Sequence, residues 1–362
     1  MNAGSKTLNL ILPSCGGGDR ISKRVTIKDI ANLAGVSITT VSNVINGRGN
    51  VSQETREAVQ RIIREYNYAP SMAARSLRDK SAHLIALVVP FLPKGESADN
   101  PFFWKFIEGV EAGARSHQFH VIFTGLSNSS DLSFVRERHL DGLIVLGTSE
   151  GSDLVGKIKD MKIPCVFVDS YLNDEELYQV LLDDFMGGYL GTKHLIGHGH
   201  RRIILLSRIP EHNSVNRQRW LGYRKALEES GIPYDPELIL EENATTSGGY
   251  YAAHKVYNKI KCENPATAVF SLSDVAAIGL MKGLREMGIS VPGDISIVGF
   301  DDIHFSEFTW PALTTIRQDI FQKGRAAVGL LLDQILQENG FKEKKITLPV
   351  ELKVRQSTGP AK

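Results

Sequence analysis

Polar and charged side chains recur where short apolar runs stop. Phe91 follows the run 84–90, Asp169 closes 165–169, Ser273 closes 268–273 with Asp274 next, and Asp301 closes 295–301 with Asp302 next. Arg219 opens the segment Arg219-Trp220-Leu221-Gly222-Tyr223. Carboxylates and a guanidinium converging with aromatic rings suit hydroxyl-rich ligands, which need directional hydrogen bonds and an apolar platform. Asp274 and Asp302 have a plainer reading, as strand terminators or caps of the next helix. A second set lies near the N-terminus, where Thr39, Thr40, Asn43 and Asn46 fall on the polar face of a short helical segment. An Asn amide pairs bidentately with adenine, and a Thr methyl can touch the thymine methyl. The Lys and Arg residues around them suit phosphates, which fix register rather than sequence.

Other chemistry finds no residues to stand on. His194, His198 and His200 have a spacing that invites zinc, but no Cys, Asp or Glu completes the set, and Gly197 and Gly199 read as a helix end turning into a strand. There is no P-loop and no Gly-x-Ser-x-Gly elbow. Gly47-Arg48-Gly49 lacks the third glycine and preceding strand of a dinucleotide fingerprint. Neither metal nor cofactor is expected, and no catalysis. Cys15, Cys165 and Cys262 are odd in number and widely spaced, which fits a reducing cytoplasm better than a disulfide framework. Apolar runs are strand-length, too short to span a membrane.

The elements that would position these residues fall into two groups of opposite charge. The net charge of +1 hides 12 Lys/Arg against 6 Asp/Glu in residues 1–80 and 30 against 35 in residues 81–362, or +6 and −5. A small basic piece on a large acidic body suggests a nucleic-acid partner for one part only. At 42% apolar and 23% charged, the composition excludes disorder. Residues 1–22 read as a flexible leader, since the apolar stretch 8–12 is shorter than a secretory signal needs. Thr26 then precedes an apolar face of Ile27, Ile30, Ala31, Leu33 and Ala34, with Asp29 placed for a capping box. Gly35 ends that helix, Ser37 caps a second through Asn46, and Ser52 caps a third to about Asn67. The third has Val59, Ile62, Ile63 and Tyr66 inward and Arg56, Arg61 and Arg64 outward. Two short helices about a Gly-containing turn form a helix-turn-helix.

Beyond residue 82, strand-like runs at 84–90, 120–124, 142–147, 165–169, 203–207, 268–273 and 295–301 alternate with helical patterns such as 101–117. Alternation of this kind predicts parallel sheets of βαβ units, and that many strands are better served by two lobes than one sheet. Ligands of open α/β sheets lie beyond the carboxyl ends of the strands, so the cleft falls between the lobes.

The run Val25-Thr26-Ile27-Lys28-Asp29-Ile30-Ala31, Gly35-Val36-Ser37, and Thr40 through Gly47 resembles the DNA-binding signature of the LacI/GalR family. Ser52-Gln53-Glu54-Thr55-Arg56 and Tyr68-Ala69-Pro70 continue it, and residues 71–79 resemble the family's hinge helix. Further along, residues 197–204, 219–223, 294–302 and 311–318 are similar to its effector-binding core. The resemblance implies a three-helix helix-turn-helix domain (23–70), a hinge helix (71–80) and a two-lobed periplasmic-binding-protein-like α/β domain for effector binding and dimerisation (81–358). It further implies a cytoplasmic repressor that binds a near-palindromic operator as a homodimer under control of a small polar, carbohydrate-like effector. Operator contacts fall to Thr26, Ser37, Thr39, Thr40, Asn43, Asn46 and Asn50, with Leu77 as an apolar wedge in the minor groove. Effector contacts fall to Phe91, Phe102, Asp169, Arg219, Ser273, Asp301 and Gln318. Ser273 stands where sugar binders of the family often offer Asn, and Ala244 where many have an aromatic. Residues 120–141 leave room only for a short helix around 131–138, and no heptad tail follows Ser357, so a tail-mediated tetramer is not expected. The alternative is a solute-binding protein of the periplasmic type on the same two lobes.

Overall fold

The computed structural model describes residues 25–45, 47–68, 81–90, 100–126, 132–336 and 343–362. The leader, the hinge helix with Leu77, and the positions Asn46 and Phe91 lie outside the described residues. The chain divides into two compact units, residues 1–80 and 81–362.

The first unit holds three helices, α1 (Ile27–Ala34), α2 (Ile38–Ile45) and α3 (Gln53–Glu65). Thr26 and Asp29 form the reciprocal capping box: the Thr26 N–H donates to the Asp29 carboxylate at 2.8 Å, and the Asp29 N–H donates back to the Thr26 hydroxyl at 3.4 Å. Gly35 ends α1 at φ 66°, a left-handed conformation that an L side chain rarely adopts. Ser37 caps α2 by accepting from the Thr40 N–H at 3.0 Å, and Ser52 caps α3 through the Thr55 N–H at 3.3 Å. The buried core is Ile30, Ala31, Val41, Val44 and Val59. Two residues expected inward are not: Leu33 is 46% and Tyr66 42% exposed. The core-facing stripe of α1 is Ile27, Ile30, Ala31 and Ala34, with Leu33 off its edge, and Tyr66 lies past the end of α3 as its C-cap.

The second unit contains two six-stranded sheets. The first lobe orders its strands β11-β5-β4-β3-β1-β2 and the second β12-β10-β9-β8-β6-β7. These are β1 (Leu84–Pro90), β2 (His120–Leu126), β3 (Gly142–Leu146), β4 (Cys165–Val168), β5 (Tyr178–Leu182) and β11 (Lys345–Leu348) in the first lobe. The second lobe has β6 (Ile203–Leu206), β7 (Ile239–Leu240), β8 (Ala268–Ser271), β9 (Ser296–Asp301), β10 (Thr314–Gln318) and β12 (Val350–Lys353). Every pairing is parallel except β10 with β12. Helices α4 (Pro101–Ser116), α5 (Ser133–Glu137), α6 (Asp153–Met161) and α11 (Ile320–Leu336) flank the first sheet. The second is flanked by α7 (Asp184–Gly197), α8 (Val215–Glu229), α9 (Thr246–Ile260) and α10 (Asp274–Glu286). Each sheet is covered on both faces, which is why its strands read as continuous apolar runs rather than as alternation.

The chain passes between the lobes three times: from β5 into α7, from β10 into α11, and from β11 into β12. Strands β5, β7, β10, β11 and β12 lie outside the runs that the sequence pattern marks. The short edge strands β11 and β12 alternate exposed and half-buried residues, a weak signal over four residues.

Candidate functional site

Three of the singled-out acids and amides stand at the carboxyl ends of strands, on a backbone that tolerates them poorly. Asp169 follows β4 at φ 51°, Asp301 ends β9 at φ 119°, and Asp302 follows at φ 55°. Non-glycine residues in this region cost of order 1–3 kcal/mol each and gather where function requires a fixed side-chain direction.

Arg219 lies on α8, which begins at Val215 under a Ser214 cap, four residues earlier than the sequence suggested. The helix is held against α7 at backbone contact. A Cβ on Gly188 would sit 1.9 Å from the Arg219 carbonyl oxygen, and one on Gly222 would sit 2.0 Å from that of Phe185. That proximity buries the Arg219 guanidinium at 6% exposure. Its Nε donates to Asp184 Oδ1 at 2.7 Å and its Nη1 to the Leu272 carbonyl at 2.8 Å. The group stacks 3.4 Å over the Phe300 ring, and its Nη2 stands 4.0 Å from Asp301 Oδ1. Trp220 and Tyr223, its neighbours in the segment 219–223, stay out of this constellation. Tyr223 is wholly buried in the lobe core and donates to the Ile203 carbonyl at 2.9 Å, while Trp220 is covered by Arg217 and Arg224. Trp220 is about a quarter of a turn around α8 from Arg219, and Tyr223, one turn further along the same face, packs into the lobe core instead.

From Arg219 the polar contacts form a chain that only the backbone from Asp169 to Tyr171 closes into a circuit. Gln318, ending β10, donates from Nε2 to Asp301 Oδ1 at 2.6 Å and accepts at Oε1 from Lys323 Nζ at 2.5 Å. Lys323, near the start of α11, donates to both Asp169 oxygens at 2.9 and 3.0 Å. Two residues beyond Asp169, the Tyr171 hydroxyl donates to Asp184 Oδ2 at 2.7 Å, which returns the circuit to Arg219. Asp169, Tyr171 and Lys323 belong to the first lobe; Asp184, Arg219, Asp301 and Gln318 belong to the second. Burial pushes the Asp301 carboxyl up to about 6, against the pull of Arg219, the Gln318 hydrogen bond and Lys323. Burial likewise raises Asp184, while the carboxylates of Asp184 and Asp301 outweigh desolvation and keep Arg219 charged.

Phe102, half-buried on α4, lies with its ring centroid 5.4 Å from Lys323 Nζ. Ser273 caps α10 in position only. Its hydroxyl accepts no cap hydrogen bond and has no partner at all, although the residue is 5% exposed. An orphaned buried hydroxyl one residue from the carbonyl that receives Arg219 is a vacancy in the hydrogen-bond inventory that a ligand oxygen can fill. Asp274 and Asp302 have structural tasks. Asp274 accepts from Ser306, Thr315 and the Ile303 N–H at 2.6, 2.6 and 3.0 Å, with burial raising its carboxyl to about 8. Asp302 pairs with Arg355 at 2.6 Å.

Sequence reasoning thus brought Asp169, Arg219, Asp301 and Gln318 to one place, but missed the residues that join them, Asp184 and Lys323. Asp183 and Asp184 look alike as helix-start carboxylates. Only Asp183 caps α7, through the Met186 N–H at 2.9 Å, and Asp184 turns inward. Lys323 carried a legible signal, because it interrupts the apolar stripe Ile320, Ala327, Val328 and Leu331.

The first unit offers a second polar surface. Ser37, Thr39 and Asn50 are exposed and Thr40 and Asn43 half-buried. Gly49, at φ 74°, leaves the space that the Asn43 amide occupies, since an added Cβ would lie 2.9 Å from Nδ2. Thr26 is exposed but committed to its cap. The three histidines serve the fold: His194 lies 2.9 Å from Thr358 Oγ1, His198 Nδ1 2.9 Å from the His194 carbonyl, and His200 3.0 Å from Ser296 Oγ and the Gly359 carbonyl. Burial lowers His194 to about 4, so it is uncharged at neutral pH. Among the described residues no helix is long and apolar enough to cross a membrane.

Both units have counterparts among known proteins. Residues 26–71 match the profile of bacterial regulatory proteins of the lacI family, and residues 192–358 match the periplasmic binding protein-like domain. The HTH-type transcriptional repressor PurR of Haemophilus influenzae is 35% identical over 343 residues, covering 92% of this chain and 98% of the relative. A cellobiose complex of the transcriptional regulator CelR superposes with a TM-score of 0.70 at 30% identity, over 92% of this chain and all of that one. The lac repressor dimer bound to operator and the anti-inducer ONPF superposes with a TM-score of 0.79 at 27% identity, over 93% of this chain and all of that one.

Proposed function

The chain belongs to the LacI family and is a DNA-binding transcriptional repressor, and from that premise we propose which residues perform its two binding tasks. The α2 face of Ser37, Thr39, Thr40 and Asn43, with Asn46, Asn50 and Thr26 beside it, meets an operator half-site in the major groove. Two copies of the chain read a near-palindrome, and Leu77 of each hinge enters the minor groove between them. Residues 23–70 and 71–80 are the reading head and hinge, and residues 81–358 bind the effector and dimerise. The protein acts in the cytoplasm and catalyses nothing. A periplasmic solute carrier has no use for the segment 26–71, so that alternative falls away.

The effector site is the circuit at the strand ends, with Phe102 and Phe91 as its apolar wall. The observation that carries this reading is the unpartnered Ser273 hydroxyl, one residue from the Leu272 carbonyl that Arg219 bonds. The effector is a small hydroxyl-rich compound of the sugar class. By binding one interlobe geometry better than another it shifts operator affinity, typically by ~1–3 kcal/mol of coupling.

Two measurements test this. In gel-shift titrations of the full-length protein against palindromic duplexes at two salt concentrations, affinity should fall steeply with salt while sequence preference persists. An absence of sequence preference overturns the operator reading. Thermal-shift screening with neutral mono- and disaccharides should find a stabilising ligand, and Ser273→Ala should lose that response without losing unliganded stability. An unchanged response removes Ser273 from the site.

A further inference from the structure

Lys323 is out of place in its own helix. It falls on the buried stripe of α11 with Ile320, Ala327, Val328 and Leu331, where an apolar side chain would pack without penalty, and it is 1% exposed. A buried ammonium persists only when its donors are met. Here they are met completely, by the two Asp169 oxygens and Gln318 Oε1. Those acceptors stand at the carboxyl ends of β4 and β10, where an open α/β sheet offers its polar groups to a ligand. The pairing is therefore internal to the cleft, and it uses up one end of it. At the other end, among the described residues, Ser273 Oγ has no partner, Asp301 Oδ2 accepts no hydrogen bond, and Arg219 Nη2 has only Asp301 Oδ1 at 4.0 Å.

We propose that Lys323 is a tethered cation filling an ammonium-sized subsite of the effector cleft, and that it is a specificity-determining residue. Resting on the effector reading above, it confines the effector to Arg219, Asp301 and Ser273 and restricts the ligand to uncharged hydroxyl compounds. An amine-bearing ligand finds the Asp169 end occupied by a like charge. An acid finds no unpaired cation, because Asp169 takes Lys323 and Asp184 takes Arg219.

Truncating Lys323 to Ala removes the equivalent of n-propylamine, so the subsite can be refilled from solution. In full-length K323A, propylammonium chloride should raise the melting temperature by about 2 °C or more. It should leave the wild type unmoved, and n-propanol or sodium chloride at equal concentration should do nothing for either. No response of K323A to propylammonium, an equal response to n-propanol, or a full response in K323A/D169N would each overturn the proposal. Should K323A not fold, K323M keeps the volume without the charge. D169N should then recover most of its loss, and a loss that D169N leaves intact overturns the pairing. A melting-temperature rise of the wild type with glucosamine exceeding that with glucose would overturn the exclusion of amines. Refilling reads the subsite and not the operator, so failed sugar responses with working propylammonium rescue would sink the effector reading alone.

Discussion

The reading head and the effector body are stabilised by different means. The head rests on one cluster of five buried apolar residues and a hydrogen-bonded cap at the start of each helix. The body has four clusters, one on each face of each sheet, with a ring of buried charge between its lobes. A domain so small buries too little apolar surface to be more than marginal alone, and its caps are a large share of what orders it. The body has stability to spare, and uses some of it to hold Asp169 and Asp301 in uncommon backbone conformations and three carboxylates out of water. Recognition of a regular duplex requires little more than exposed short side chains on a helix. A small polar ligand requires a prearranged, desolvated constellation.

The sharpest way to break that contrast is through the buried ring. Arg219→Ala strands the Asp184 carboxylate without its partner and should cost the body about 3–5 kcal/mol in denaturant unfolding. A loss near zero would mean that the body does not depend on this pair. In the head, Ile30→Ala should cost about 2–5 kcal/mol. Against so small a core that should abolish operator binding, while the main thermal transition of the body stays in place. A shift of that transition instead would deny the two units their independence. Gly188→Ala forces a methyl into the Arg219 backbone and should cost the body about 1–3 kcal/mol, with the lost sugar response of a displaced guanidinium. Thr26→Ala removes half a capping box and should cost about 1 kcal/mol, visible as faster amide exchange in α1 and unchanged exchange in the body.

Legibility in the sequence follows the same division. In the head the signals are local. Thr26, Asp29, Gly35, Ser37 and Ser52 act on residues within four positions of themselves, and each is found performing the task its spacing announces. The central strands of the body were legible because burial on both faces leaves them almost purely apolar. The four-residue strands β11 and β12 lack that mark. At the site, Asp301 and Asp169 were visible as charges that end apolar runs. Asp184 was not, and Lys323 showed only as a charge in an apolar stripe, because their partners lie 35 and 154 residues away and only the tertiary fold chooses them over solvent.

The threefold passage of the chain between the lobes has a consequence for synthesis. The first lobe lacks its edge strand until Lys345–Leu348 is made, and the second until Val350–Lys353 follows. During translation the head can order itself as soon as it clears the ribosome. Both lobes wait for residues 345–353. A message truncated just before β11 would leave the head attached to two open sheets, each with an unpaired edge that invites aggregation rather than regulation.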